Sequence, residues 1–221
     1  MSLFVVGTDT EVGKTVASAL ICAKYAADAP LAYWKPVASG SLDGRDVAEV
    51  ARLSGASVLE ECYLMEQPLS PHLAARLEER WVDPSRLSSE YRRLIQEEPV
   101  RSLVIEGVGG IHVPLNDDGY LWSEWMQELA LPTVVVARSS LGTINHTLLT
   151  LECLRSRGIE VLGVILCGPM NPDNHAAIRD LGSVEILGQL VPMDPLDREG
   201  VANSAESFDL KGRLRPSLGL S

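Results

Sequence analysis

The chain has 221 residues, of which 46% are hydrophobic and 22% are charged, proportions typical of a globular protein with a buried core. It carries 19 Lys and Arg residues against 30 Asp and Glu residues, a net charge of −11, which argues against binding to nucleic acid or to an anionic membrane. The 4 cysteines form no C-x-x-C pair, and this argues against zinc sites and disulfide frameworks. Because the sequence has neither an apolar run long enough to cross a bilayer nor the basic segment of a signal peptide, we expect a cytoplasmic protein.

The first elements of the chain predict a site for phosphate groups. Residues 4–7 form a short apolar run, a polar loop follows, and Gly13, Lys14 and Thr15 open a segment with helical periodicity. A strand, a glycine-containing loop and a helix start in this order are typical of a phosphate-binding loop. Backbone N–H groups at the helix start would face the phosphates, Lys14 would contact the β- and γ-phosphates, and the Thr15 hydroxyl would be a ligand of Mg²⁺.

The spacing in this loop departs by one residue from the usual pattern. Five residues separate Gly7 from Gly13, whereas the usual pattern has four residues between its first glycine and the Gly-Lys pair. Either Thr8 stands in the place of the first glycine, or the loop is one residue longer.

The next segment places a lysine and an acidic residue near the same region. Residues 31–34 are predicted to form a second buried strand. The strand cannot continue through Pro36, because proline has no N–H group to donate to a ladder. Lys35 therefore lies at the carboxyl end of that strand, where its ammonium group could contact phosphate or extend to the surface. Residues 37–44 are predicted to form a loop, and a helix begins at Asp46, which could be an N-cap, a metal ligand or both.

The rest of the chain alternates between further predicted strands and helices. Strands are predicted at residues 62–65, 102–106, 133–137, 161–167 and 185–191. Helices are predicted at residues 72–80, 84–97, 144–158 and 174–181. The tail from Asp194 is polar, and we expect it to be irregular apart from one helical turn.

This order of elements predicts an α/β fold, in which a mostly parallel sheet of about seven strands carries helices on both faces. No repeat or linker divides the sequence, so residues 1–221 are predicted to form a single domain. Ligands of such folds bind beyond the carboxyl ends of the strands. The residues at those predicted ends are Gly7, Lys35, Glu106, Arg138 and Cys167.

Glu106 has two possible roles at its strand end. It could be a magnesium ligand, or its carboxylate could accept hydrogen bonds from the glycine-rich loop predicted at residues 107–110. The phosphate-binding loop already requires a partner for magnesium, which favours the metal role.

Together these residues resemble the motifs of the dethiobiotin synthetases, and the resemblance covers nearly the whole chain. It rests on segments in the order in which the family has them, at residues 7–15, 35–40, 70–72, 106–110 and 141–146. That family has a P-loop NTPase-like fold. It also shares the longer phosphate loop, so the additional residue before Gly13 fits the family.

The resemblance implies an enzyme of biotin biosynthesis with ATP and Mg²⁺ as cofactors and 7,8-diaminononanoate and CO₂ as substrates. One amine would capture CO₂ as a carbamate, the γ-phosphate would pass to a carbamate oxygen, and the second amine would close the ureido ring of dethiobiotin. The resemblance also implies a homodimer with the active site at the subunit interface, where the substrate carboxylate would meet a helix start of the partner.

By the same resemblance, Lys35 and Lys14 would be catalytic, and Thr15, Asp46 and Glu106 would bind the magnesium ion. The residues implied in nucleotide binding are Glu11, Val12, Gly13, Lys14, Thr15, Val16, Asp46, Glu106, Gly107, Val108, Gly109, Pro192, Met193, Asp194 and Glu199. The residues implied in substrate binding are Thr10, Ser39, Gly110, Gly142 and Asn145.

The sequence departs from this family where the nucleotide base would bind. Many members have Asn after the strand that ends here at Cys167 and Gly168, and an Asn side chain can both donate to and accept from an adenine edge. A thiol does so weakly, and glycine has no side chain. We therefore expect backbone groups near residues 192–194 to contact the base, and discrimination between nucleotides to be reduced.

An alternative of a different class is a nucleotide-switch ATPase of the partitioning or septum-site type, which resembles this chain in its phosphate loop. Such proteins usually carry an extra lysine early in that loop, whereas residues 8–11 are Thr, Asp, Thr and Glu. A related amide-forming ligase of corrinoid synthesis would normally carry an added glutaminase domain, which we do not expect here.

Overall fold

The computed structural model describes residues 1–28, 30–96 and 102–220. Its strands are β1 (Ser2–Gly7), β2 (Leu31–Trp34), β3 (Val37–Ala38), β4 (Ser57–Leu59), β5 (Tyr63–Leu64), β6 (Ser102–Gly110), β7 (Thr133–Arg138), β8 (Val161–Cys167) and β9 (Ile186–Leu190). Its helices are α1 (Lys14–Tyr25), α2 (Asp46–Ser54), α3 (Pro71–Leu77), α4 (Pro84–Leu94), α5 (Trp122–Leu129), α6 (Thr143–Ser156), α7 (Pro172–Gly182) and α8 (Arg198–Ser207). This alternation confirms the predicted α/β fold.

The larger sheet is parallel throughout. Its 7 strands run in the order β4-β2-β6-β1-β7-β8-β9, and each strand pairs in parallel with its neighbours. The short strands β3 and β5 form a separate parallel pair. Because parallel strands point the same way, the loops that follow β1, β2 and β6 leave the sheet at one edge, where α/β folds bind ligands.

Alternation along the strands divides the apolar residues between the two faces of the sheet. On β1, Phe4 packs against Trp122 and Trp125 of α5, with ring centroids 5.9 and 5.5 Å away. Leu3 and Val5 belong to the other core layer, which α1 and α8 also supply. Helices thus cover both faces, as predicted, and none in the described part of the chain is long and apolar enough to cross a membrane.

Three predicted irregular segments contain regular structure, and the first of them, the predicted loop at residues 37–44, begins with β3. Residues 107–110 continue β6 to its end and do not form a loop. The tail after Asp194 contains α8, a helix of 10 residues in place of the single predicted turn. Asp197 caps this helix by accepting the Gly200 N–H at 2.9 Å, and Val201 and Ala205, one turn apart, are buried in the α1 layer.

Several short elements were not predicted, because short segments carry little periodicity. Helix α5 has 8 residues, and strands β3 and β4 have 2 and 3 residues. Each of these strands is defined by its pairing, β3 with β5 and β4 with β2, so it depends on a partner distant in sequence.

Some predicted helix boundaries were also wrong. The helix predicted over residues 72–80 runs from Pro71 to Leu77. The helix predicted over residues 84–97 ends at Leu94, and residue 97 lies outside the described residues. Asp46 is not the N-cap of α2: Arg45 holds that position, and the Asp46 carboxylate contacts other residues.

The segment after α8 is joined to the body of the fold by the buried side chain of Asp209. Its Oδ2 accepts from the Tyr25 hydroxyl at 2.6 Å and from the Leu214 N–H at 2.9 Å, while its Oδ1 accepts from the Arg213 N–H at 2.8 Å. The Asp209 N–H donates to the Leu187 carbonyl at 2.8 Å. Asp209 therefore links the end of α1 and the C-terminal segment through its carboxylate, and strand β9 through its backbone N–H.

We expect Tyr25→Phe to lower the free energy of unfolding by about 1–3 kcal/mol, because it removes a donor from a buried carboxylate and keeps the ring. Urea denaturation monitored by tryptophan fluorescence measures the change. Ser207→Ala is the control, since the Ser207 hydroxyl bond to the Ser204 carbonyl is exposed and its loss should change the value by less than about 0.5 kcal/mol. Equal, small effects of both substitutions would contradict this role of Asp209.

Candidate active site

The loop after β1 folds around its own polar groups. Lys14, the first residue of α1, donates from Nζ to the Asp9 carbonyl at 2.9 Å. The Asp9 carboxylate accepts the Thr10 N–H at 2.8 Å and pairs with Arg138 at the end of β7. Gly13 is the N-cap residue of α1 and has no side chain that could accept hydrogen bonds from the first N–H groups of the helix. Uncapped N–H groups at a helix start favour the binding of an anion.

Two carboxylates from different elements meet beside this loop. Asp46 opens α2 and Glu106 lies in β6, and the ammonium group of Lys35, just after β2, pairs with both. Its distance to Glu106 Oε1 is 3.0 Å. The Thr15 hydroxyl of α1 lies 2.7 Å from Asp46 Oδ1 and 3.2 Å from Glu106 Oε1. Four segments of the chain thus converge on one point.

Burial and charge act in opposite directions on the ionisable groups of this site. Burial disfavours the charged form of Lys35, but the carboxylates of Glu106 and Asp46 outweigh it and raise the pKa of Lys35. Burial lowers the pKa of Lys14, and the more distant charge of Glu106 only partly offsets it. Burial opposes ionisation of Asp46, yet Lys35 holds its pKa below the usual range. Lys35 and Asp46 are therefore both charged at neutral pH.

The donor atoms at this point suit a hard cation. Asp46 and Glu106 offer carboxylate oxygens and Thr15 offers a hydroxyl oxygen, the ligand type that Mg²⁺ prefers. The described residues contain no group of three or more His, Cys, Asp or Glu side chains that could hold a metal ion. The set is thus too small for an all-protein cage but fits an ion that also takes phosphate oxygens and water. Such an ion would share its carboxylates with Lys35.

These groups line a cleft of ≈ 680 Å³, which is within the size range of small-molecule sites. The predicted site residues in its wall are Thr10, Glu11, Gly13, Lys14, Thr15, Val16, Lys35, Ser39, Asp46, Glu106, Val108 and Gly109. Residues 68–71, which precede and open α3, also line the cleft. The structure therefore brings most of the predicted residues to one place.

Two of the predicted substrate residues that do not line the cleft lie in the wall of a second cavity. Gly110 and Asn145 line this cavity of ≈ 310 Å³, which lies between the end of β6 and the first turns of α6. Gly142 is the N-cap of α6 and has a φ of 92°. Val113 lines both cavities, so the second cavity adjoins the first cleft.

The remaining predicted nucleotide residues also lie outside the wall of the first cleft. Val12 is buried in the α1 core layer. Gly107 lies against α5, where an added Cβ would be 2.8 Å from Trp122 Nε1. Residues 192–194 follow β9, and Glu199 lies in the first turn of α8.

Both backbone polar groups of Gly168, after the end of β8, already have partners. Its N–H donates to the Leu190 carbonyl at 2.8 Å, and its carbonyl accepts from Gln189 Nε2 at 2.8 Å. A Cβ at this position would lie 2.5 Å from Ser139 Oγ, and φ is +122°. A residue with an amide side chain therefore does not fit here without a local shift.

Two further residues, which the sequence patterns did not indicate, contact Glu106. Ser18 of α1 donates to Glu106 Oε2 at 2.8 Å, and the Tyr33 hydroxyl of β2 donates to the same atom at 3.0 Å. Burial, reinforced by the charge of Glu106, raises the pKa of Tyr33 well above its usual value, so the phenol remains a donor. Spacing could have indicated both, since Ser18 lies one helical turn after Lys14 and Tyr33 lies two residues before Lys35.

Comparison with known proteins finds one consistent set of relatives. A family model described as an AAA domain matches residues 1–200. The chain is 45% identical over 201 residues to the ATP-dependent dethiobiotin synthetase BioD of Paramagnetospirillum magneticum, over 90% of this chain and 92% of that protein. It is 44% identical over 212 residues to the ATP-dependent dethiobiotin synthetase BioD of Brucella ovis, over 94% of each.

Solved structures with the same fold are more distant in sequence. The ParA family ATPase from Chlorobium tepidum TLS matches with a TM-score of 0.56 at 15% identity, over 98% of this chain and 93% of that chain. The MinC:MinD cell division protein complex of Aquifex aeolicus matches with a TM-score of 0.59 at 12% identity, over 100% and 96%. At such low identity these likenesses concern the fold alone, and the fold agrees with the predicted P-loop NTPase-like class.

We expect Gly13→Ala to lower the free energy of unfolding more than the control Gly119→Ala. Both glycines have left-handed backbone angles, with φ of 95° and 81°, which cost alanine roughly 1–2 kcal/mol. At Gly13 the new Cβ would also lie 2.9 Å from Cys167 Sγ, whereas nothing lies within 4 Å of it at Gly119. Urea denaturation of both variants measures the difference, and equal losses would contradict a tight contact between the phosphate loop and β8.

Proposed function

This chain belongs to the dethiobiotin synthetase family of ATP-dependent ligases in biotin biosynthesis, and we propose that it joins 7,8-diaminononanoate and CO₂ to form dethiobiotin. One substrate amine forms a C–N bond to CO₂ and loses a proton, which gives a carbamate. A carbamate oxygen attacks the γ-phosphorus of ATP, and the bond to ADP breaks. The second amine then attacks the carbon of the resulting carbamic–phosphoric anhydride and loses a proton, phosphate leaves, and the ureido ring closes.

The observation that best supports this proposal is the pairing of Lys35 with Asp46 and Glu106 beside Thr15 and Lys14. A carbamate and a γ-phosphate are both anionic, so they repel each other until cations neutralise them. Catalysis of phosphoryl transfer consists mainly of placing the reactants and stabilising their charge. In a chain with a net charge of −11, the ammonium groups of Lys14 and Lys35 are positive charges in the wall of this cleft that can meet these anions.

The two catalytic lysines have different tasks in this proposal. Lys14 holds the transferring phosphoryl group: its present partner is the neutral Asp9 carbonyl, so a phosphate oxygen would offer a stronger, charge-assisted bond. Lys35 remains charged because of its carboxylate partners, and it neutralises the carbamate during the attack. When bound, Mg²⁺ supplies further positive charge to the phosphates, with Thr15, Asp46 and Glu106 as its protein ligands.

The proposed position of the substrate is set by the binding of the amines at one end and of the carboxylate at the other. Thr10 and Ser39, in the wall of the cleft, hydrogen-bond the end that carries the amines. The apolar chain and the carboxylate reach the start of α6, at Gly142 and Asn145, in a second copy of the chain, where a helix N-terminus favours an anion. This position of the substrate requires a homodimer in which the start of α6 of one subunit lies at the cleft of the other.

We expect diaminononanoate, bicarbonate, ATP and Mg²⁺ to yield dethiobiotin with the unaltered chain, as detected by mass spectrometry. Lys35→Ala and Lys14→Ala should each lower kcat/KM by at least about 100-fold, because each removes a charge that stabilises the transferring group. Lys24→Ala is the control lysine, since Lys24 lies in the last turn of α1 and donates to the Ala205 carbonyl. Its activity should match that of the unaltered chain.

The same assay separates the proposal from its main alternative. Release of phosphate from ATP without any ureido product would contradict the ligase reaction and favour a nucleotide-switch ATPase. Full product formation by Lys35→Ala would leave the family assignment intact and contradict the role given to Lys35.

The nucleotide base is proposed to meet mainly backbone groups of residues 192–194, with Glu199 near the ribose. The backbone N–H and carbonyl of Gly168 already have hydrogen-bond partners, and glycine has no side chain. Gly168 therefore contributes little to distinguishing adenine from other bases. We expect kcat/KM for CTP and GTP to lie within about 100-fold of the value for ATP. Replacing adenine by another base would cost only a few hydrogen bonds, each with a modest net energy. A thousandfold preference for ATP would contradict this.

A further inference from the structure

The two oxygens of the Glu106 carboxylate have separate sets of partners. Oε1 lies 3.0 Å from Lys35 Nζ and 3.2 Å from Thr15 Oγ1, on the side of the cleft. Oε2 accepts from Ser18 Oγ at 2.8 Å and from the Tyr33 hydroxyl at 3.0 Å. Glu106 has a relative exposure of 0%, so these side chains replace the water that a carboxylate would otherwise bind.

Strand register and helix spacing explain why Ser18 and Tyr33 reach the same atom. Tyr33 of β2 pairs with Val104 of β6, and residues two apart on a strand share a face, so Tyr33 and Glu106 lie on one side of the sheet. That side is covered by α1, where Ser18 follows Lys14 by one turn. Both donors therefore belong to rigid elements and are themselves buried.

We infer that Tyr33 and Ser18 are positioning residues, which hold Glu106 Oε2 so that Oε1 faces Thr15 and a divalent cation bound with the nucleotide. This inference rests on the proposed function, because it assumes that Glu106 is a ligand of that cation. Neither residue lines the cleft. Their effect is transmitted through the orientation of one carboxylate.

The physical argument concerns both geometry and charge. With one donor removed, Oε2 keeps a single hydrogen bond, and the carboxylate can rotate about its last side-chain torsion, which is broad for glutamate. A carboxylate that is fixed by outer partners binds a metal more tightly, and loss of such a partner typically weakens metal affinity 10–100-fold. Phenylalanine keeps the ring volume of Tyr33, so packing against its neighbours is preserved.

The chain offers a matched control in Tyr25. Like Tyr33, it is a buried tyrosine whose hydroxyl donates to a carboxylate, that of Asp209, at 2.6 Å. It is the last residue of α1, whereas the cleft lies at the first residues of that helix. Tyr25→Phe and Tyr33→Phe therefore remove the same kind of bond, but only the latter removes it from the proposed metal ligand.

The test is a titration of the full chain with Mn²⁺ at saturating ADP. The electron paramagnetic resonance signal of free Mn²⁺ monitors the titration. We expect the Kd for Mn²⁺ to rise about 10–100-fold in Tyr33→Phe, to rise in the same direction in Ser18→Ala, and to stay unchanged in Tyr25→Phe. Urea denaturation of each variant confirms that it is folded. If Tyr33→Phe does not fold, Ser18→Ala provides the comparison.

The outcomes separate this inference from the proposed function. An unchanged Mn²⁺ Kd in folded Tyr33→Phe and Ser18→Ala, with tight binding by the unaltered chain, would overturn the inference and leave the proposed function standing. An equal rise in Tyr25→Phe would also overturn it, since the effect would then be a general loss of stability. If the unaltered chain with ADP binds no Mn²⁺ yet still forms dethiobiotin, the inference and the metal role of Glu106 both fail while the ligase reaction stands.

Discussion

A fully buried carboxylate, that of Glu106, is the constraint on which the candidate site depends. A buried charge is tolerated only when it is paired and hydrogen-bonded, and here the partners come from separate parts of the chain. Thr15 and Ser18 belong to α1, Tyr33 belongs to β2, and Lys35 follows β2. A shift of α1 or β2 relative to β6 would remove hydrogen-bond donors from the Glu106 carboxylate. The hydrogen bonds of this carboxylate therefore link the position of the helix to that of the sheet.

The order of the strands makes this convergence possible. β6 lies between β2 and β1 in the sheet, so the segments that leave β2 and β1 flank the residue where β6 carries its acid. The phosphate loop follows β1, and Lys35 follows β2. Helix α1 packs on the face of the sheet that carries Tyr33 and Val104. Parallel strands place all of these segments at one edge, which is the physical reason that α/β folds bind ligands there.

The two lysines of the cleft differ in a way that matches their proposed tasks. Lys35 is held by Asp46 and Glu106, which raise its pKa, so it is a fixed positive charge. Lys14 is buried, its hydrogen-bond partner among the described residues is the neutral Asp9 carbonyl, and burial lowers its pKa, so it gains most from an incoming anion. A strongly acidic chain can thus present the ammonium group of Lys14 to an anion, because nearby charge and burial, not net charge, determine the field within a cleft.

Sequence patterns alone determined the main strands, the α/β class and the phosphate loop, because hydrophobic periodicity and the run from Gly7 to Thr15 are local properties. They also indicated Lys35, Asp46 and Glu106, which lie at predicted element ends. Only the tertiary structure decided that Asp46 pairs with Lys35 instead of capping α2, and that Ser18 and Tyr33 hold Glu106. It also decided that the polar tail forms α8, through burial of Val201 and Ala205. These features depend on contacts between residues far apart in sequence, and a single sequence does not record which distant donor meets which buried acceptor.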